Sequence, residues 1–156
     1  MLKVESKQVN QKTVVYLSGV IDETVDFSKS LGTLPSEVTF SCQKIDKINS
    51  NGVKSWIIFF AALARSGTKF SFKDMSVPLV EQLNSLENFP CGAPVESIES
   101  PYLCTNPACK KETKVIHLTT EITPGKDPAP VKCPHCGRTA EFDDLADEYY
   151  SFLECA

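Results

Sequence analysis

Lys47-Ile48-Asn49-Ser50-Asn51-Gly52-Val53-Lys54-Ser55-Trp56-Ile57-Ile58-Phe59-Phe60-Ala61-Ala62-Leu63-Ala64-Arg65-Ser66-Gly67 is the stretch that decides the fold. Its apolar residues Val53, Trp56, Ile57, Phe60, Ala61 and Ala64 recur with the spacing of a helix that buries one face. Gly67 is a suitable C-terminal stop. The turn ahead of the helix is Asn49-Ser50-Asn51-Gly52. All three polar residues are good N-caps, so the plain expectation is that Ser50 or Asn51 caps the helix. The same geometry offers a second reading. Unpaired N–H groups and the positive end of the helix dipole would favour a phosphate on Ser50.

Strands flank this helix. Val38 to Cys42 reads as a strand before it and Lys69 to Lys73 as a strand after it. A strand–helix–strand unit implies a parallel pair. Upstream, residues 2–8 and 12–18 are β-rich runs separated by Asn10-Gln11, which reads as a hairpin. Downstream, a second helix is expected to start near Ser76, with Pro78 in its first turn and Leu79, Val80, Leu83 and Leu86 along it. Residues 95–99 form a candidate fifth strand. The fold class is α/β with a mixed sheet. Phe59, Ala62 and Leu63 add a second apolar stripe to the main helix. Either a neighbouring helix or the cysteine-bearing segment covers it, or it is a protein–protein surface.

The chain has 156 residues and a net charge of −4. That length suits one domain, or one domain with a small module. Residues 1–98 are neutral, and residues 99–156 carry the whole excess of acid together with five of the seven cysteines. A boundary is therefore expected near Ser100-Pro101-Tyr102, dividing the chain into 1–98 and 99–156. The net charge argues against a nucleic-acid partner bound by bulk charge. The longest apolar run, Trp56 to Ala64, is far short of the roughly twenty residues of a membrane span. The N-terminus lacks a signal peptide's apolar core. The expectation is a cytoplasmic protein with no membrane partner. There is no glycine-rich phosphate loop and no triad motif, so an enzyme is not expected.

The order strand–strand–helix–strand–turn–helix–strand–helix resembles that of the STAS domain, the fold of anti-sigma factor antagonists. Leu17-Ser18-Gly19-Val20-Ile21-Asp22 resembles the family's "G-x-I/L-D" pattern through Gly19, Ile21 and Asp22. Ile48-Asn49-Ser50-Asn51-Gly52-Val53 is similar to its Asp-Ser-Ser-Gly-Leu type turn, with Gly52 and Val53 at matching places. The resemblance covers about residues 1–98. It implies that Ser50 stands where a partner anti-sigma kinase phosphorylates the family. It also implies that Asn49, Ser50, Asn51 and Gly52 form the partner contact. Asn49 and Asn51 replace an acidic residue and a second serine, and Ser41 replaces an acidic residue on the third strand. The implied function is a non-enzymatic regulatory interaction module. The alternative is an unphosphorylated scaffold component in a signalling complex, which Asn49 and Asn51 favour.

Cys104-Thr105-Asn106-Pro107-Ala108-Cys109 and Cys133-Pro134-His135-Cys136-Gly137 supply two close cysteine pairs, with a strand expected from Lys114 to Thr120 between them. Four thiolates in two turns can close a tetrahedron around Zn²⁺. The segment resembles a zinc ribbon, and its second pair fits the "C-P-x-C-G" knuckle. Cys104, Cys109, Cys133 and Cys136 are the expected ligands of a structural zinc, with His117 and His135 as possible substitutes. Two other readings exist, a Cys133–Cys136 redox pair and two disulfides; the reducing location disfavours the disulfides. A ribbon can also bind nucleic acid, but this one has no basic surface. Leu145, Tyr149, Phe152 and Leu153 recur at helical spacing among acidic residues, so an acidic amphipathic helix is expected at the end. Cys155 reads as incidental, and Cys42 and Cys91 as core or near-core residues.

Overall fold

The computed structural model describes residues 1–154. The first sheet has the order β1-β2-β3-β4, from β1 (Lys3–Val9), β2 (Lys12–Ile21), β3 (Glu37–Ile48) and β4 (Lys69–Lys73). β1 and β2 pair antiparallel. Asn10 and Gln11 both take positive φ (50° and 65°), the backbone of a two-residue hairpin turn. β2 pairs parallel with β3, and β3 parallel with β4. The expected parallel pair is thus present.

β3 runs six residues past the expected Cys42, to Ile48. The extension is charged, and Ile45 and Ile48 alone turn inward. Two irregularities in the β2–β3 register, at Tyr16/Ser18 and Gly19/Val20, break the strict alternation by which such a strand is recognised.

One face of this sheet carries the core. Val38, Phe40 and Cys42 of β3 and Val15 and Leu17 of β2 belong to it. Burial pushes the Cys42 thiol well up, so it stays a small neutral core residue. The helices α1 (Phe27–Leu31), α2 (Ser50–Arg65) and α3 (Val77–Ser85) contribute Phe27, Trp56, Phe60, Leu79, Val80 and Leu83 to it. Trp56 is fully buried, stacks on Phe89 at 4.9 Å and 5°, and donates from Nε1 to the Phe89 carbonyl at 2.9 Å. The second stripe of α2 finds its partner here: Phe59 stacks on Phe27 of α1 at 5.5 Å. A neighbouring helix covers it. Ile58 is left 70% exposed.

The second sheet has the order β6-β5-β8-β7, all antiparallel. Its strands are β5 (Ser97–Cys104), β6 (Glu112–Leu118), β7 (Val131–Lys132) and β8 (Thr139–Phe142). The expected fifth strand of the first sheet therefore lies elsewhere. Two isolated parallel bridges, Phe72 of β4 to Val95 and Met75 just after β4 to Ile98, with their backbone hydrogen bonds, tie this segment to the first sheet. β5 then enters the second sheet, so residue 98 falls inside a strand.

The terminal acidic helix is much shorter than its periodicity suggests. It is one turn, α4 (Ala146–Tyr149), followed by a 3₁₀ turn at Ser151–Leu153. Leu145 is 60% exposed, while the adjacent Tyr149 and Tyr150 are both buried. Two consecutive buried tyrosines cannot lie on one narrow helical stripe. Hydrogen bonds hold them instead: the Tyr149 hydroxyl donates to the Glu99 carbonyl at 2.6 Å, and the Tyr150 hydroxyl meets Ser100 Oγ at 2.7 Å. Both tyrosines join the same core as α2 and α3. Cys155 lies outside the described residues. No helix among the described residues is long and apolar enough to cross a membrane.

Candidate metal centre and the turn at Ser50

The second sheet places each cysteine pair at a hairpin end. Cys104 is the last residue of β5, and Cys109 lies in the loop before β6. Cys133 follows β7, and Cys136 lies in the turn before β8. Register pairing of Cys104 with Ala140 and of Val131 with Ala140 brings the two ends side by side. The four sulfurs lie within 4.8 Å of one another. Cys104 Sγ to Cys136 Sγ is 3.4 Å, and Cys109 Sγ to Cys133 Sγ is 3.9 Å. Zn–S bonds of about 2.3 Å in a tetrahedron set sulfurs about 3.8 Å apart, so this set can hold such an ion. All four are free thiols, not disulfides. Neither histidine joins them: His135 is exposed, and His117 Nδ1 is engaged by Ser100 Oγ at 2.9 Å.

The local backbone explains the convergence. In the first turn, Asn106 Oδ1 accepts from Ala108 N at 3.1 Å, and Asn106 O accepts from Cys109 N at 2.9 Å. The four residues between Cys104 and Cys109 are thereby folded into a compact loop. Asn106 N–H points to Cys104 Sγ at 3.4 Å. In the second turn, Gly137 takes φ 81° and donates to the Cys133 carbonyl at 2.9 Å. N–H groups aimed at sulfur favour the thiolate a metal needs. The Arg138 N–H, with Asn106, brings the Cys136 thiol down to about 6. At Cys133, burial pulls upward, but the N–H groups of His135 and Cys136 outweigh it. Burial pushes Cys104 up to about 12.

The turn at Ser50 has a different order from the one expected. Asn49 is the N-cap, accepting from Gly52 N at 2.8 Å. Ser50 and Asn51 are the first two residues of α2, and both are exposed. Asn49 wins because it is tied from three sides. Its N–H donates to the Ile21 carbonyl at 3.1 Å, and its Nδ2 donates to Glu23 Oε2 at 2.9 Å. Gly52 is buried against β2, where an added Cβ would sit 2.1 Å from Ile21 O. Beside it, Asp22 Oδ1 accepts from Thr24 Oγ1 at 2.5 Å and Thr24 N at 2.9 Å, which lowers the Asp22 carboxyl below its ordinary range. Asn49, Ser50, Asn51 and Gly52 thus form one rigid corner with the loop after β2. Asn49→Ala is expected to cost about 1 kcal/mol by urea denaturation. Asn49→Asp keeps the cap but sets a second carboxylate against Glu23, so it is expected to destabilise as well.

The chain was compared with models of known families, with characterised proteins and with solved structures, and nothing matches it.

Proposed function

We propose that this protein is a non-enzymatic interaction module of the STAS type, similar to anti-sigma factor antagonists, with a zinc-ribbon-like module built on Cys104, Cys109, Cys133 and Cys136. The zinc is structural: four protein sulfurs leave no open position for substrate. Free thiols at these positions suit a reducing compartment. The observation that carries the reading is Ser50, exposed as the first residue of α2 on a corner pinned by Asn49 and Gly52. A phosphate there would add about −1.5 to −2 charges to a first helical turn that has no acidic side chain of its own. A protein partner docked on that turn would be repelled or released. The strand order and the helix between β2 and β3 support the same reading.

A second reading, an unphosphorylated scaffold component, has its own support. The Asn49 side chain already holds the Glu23 carboxylate at this corner, and that charge opposes a phosphate nearby. The test is affinity capture from the protein's own cells with wild type and Ser50→Asp. Under the switch reading the variant loses a bound partner protein by about tenfold or more, about 1.4 kcal/mol. Equal retention would leave the scaffold reading standing and remove the switch. Native mass spectrometry of the protein from those cells reads zinc and phosphate together.

A further inference from the structure

Between β3 of the first sheet and β5 and β6 of the second lies a groove of about 500 Å³. Glu99, Gln43, Lys114, Glu112 and Asp143 line it. Glu99 is 3% exposed. Its backbone is held from both sides, the N–H donating to the Met75 carbonyl at 2.9 Å and the carbonyl accepting from Tyr149 at 2.6 Å. Gln43 hydrogen-bonds its carboxyl. Yet Glu99 Oε2, sealed from water, has no hydrogen-bond partner. The nearest cation, Lys114 Nζ, stands 3.9 Å away on a side chain that is 57% exposed. A buried carboxylate oxygen with no hydrogen bond and only this long ion pair is costly.

The surroundings select what would satisfy it. Three carboxylates against one lysine repel an anion. A metal ion is disfavoured, because the thiol cluster is the only group of three or more ligating side chains that converges among the described residues. An organic cation fits: it brings several N–H donors, and Pro101 at the groove's side can contact an alkyl stem. We propose that this groove binds an alkyl guanidinium or ammonium group, with Glu99 as its counter-ion and Lys114 as the side chain it displaces. The site lies apart from Ser50, and Asp143 at its edge follows directly on β8, so the test uses the metal-loaded chain.

The probe is butylguanidinium, titrated calorimetrically into the full-length, metal-loaded chain. Saturable one-to-one binding is expected. Glu99→Gln should weaken it tenfold or more, and Lys114→Ala should strengthen it several-fold by removing the competing cation. No saturable binding to wild type would overturn the proposal. So would unchanged affinity in Lys114→Ala, a variant at an exposed position that serves if Glu99→Gln misfolds. A capped Gly-Gly-Arg-Gly-Gly peptide distinguishes the sources. Tighter binding of the peptide assigns the group to a partner's arginine, and tighter binding of the free guanidine assigns it to a small molecule.

Discussion

Cys133→Ser is expected to abolish binding of the proposed zinc and unravel β7 and β8. Wild type should carry one zinc per chain by native mass spectrometry. The variant should carry none, and the amides of residues 131–142 should lose protection from hydrogen exchange. The reason is how little else holds this end together. β7 pairs with β8 through two residues, and β8 with β5 through three. The buried set there is Tyr102, Cys104, Cys133 and Ala140, of which two belong to the four-thiol cluster itself. Structural zinc in small domains supplies about 10–16 kcal/mol of apparent binding free energy at neutral pH, far more than five register pairs return. Chelation of wild type should reproduce the variant's exchange pattern. Trp56, the only tryptophan, sits in the first core and reports on it separately. Retained zinc together with retained β7–β8 protection would refute the structural role.

Gly52→Ala should destabilise the fold by about 3 kcal/mol or more, measured by urea denaturation with Trp56 fluorescence. Helix propensity alone says the opposite, since alanine is favoured over glycine by about 1 kcal/mol within a helix. Sterics decide the sign. The new methyl would lie 2.1 Å from Ile21 O and 2.6 Å from Ile21 C. These are backbone atoms of β2, and that carbonyl also accepts from Asn49 N. Relief requires α2 to lift from the sheet, which would loosen Trp56 and Phe60 beneath it. Gly67→Ala is the internal comparison. Gly67 has φ 85° and nothing within 4 Å of an added Cβ, so only the left-handed backbone is penalised, by about 1–2 kcal/mol. A stabilised Gly52→Ala would mean that α2 does not approach β2 this closely.

The parts of this fold that were legible are those where one local rule acts alone. The α2 periodicity, the Asn10-Gln11 hairpin, β4, and the start of α3 at Pro78 each follow from a short window. The convergence of the four thiols follows from cysteine spacing, because two tight turns deliver two sulfurs each. The choice of cap at Asn49 was hidden, since three adjacent residues are equally good caps and Ile21 and Glu23 select among them. β5 was misplaced because its apolar pattern is the same in either sheet. Its register with β6 and β8 is a long-range fact. The tyrosine pair looked like a helical stripe because periodicity does not see hydroxyl partners at Glu99 and Ser100. Glu99 itself carried no sequence signal: a glutamate in a strand is ordinarily exposed.

That tyrosine pair has a consequence for the order in which the chain matures. Tyr149 and Tyr150 bond to residues made 50 positions earlier. At synthesis rates of 5–20 residues per second, their partners wait roughly 2.5–10 s for them. The β1–β4 sheet and its helices can close within that interval from residues already made. Glu99 and Ser100 lack these hydroxyl partners on a nascent strand until the tyrosines arrive. A ribosome pausing between residues 104 and 149 would lengthen the time in which this strand is open to chaperones or to a neighbouring nascent chain.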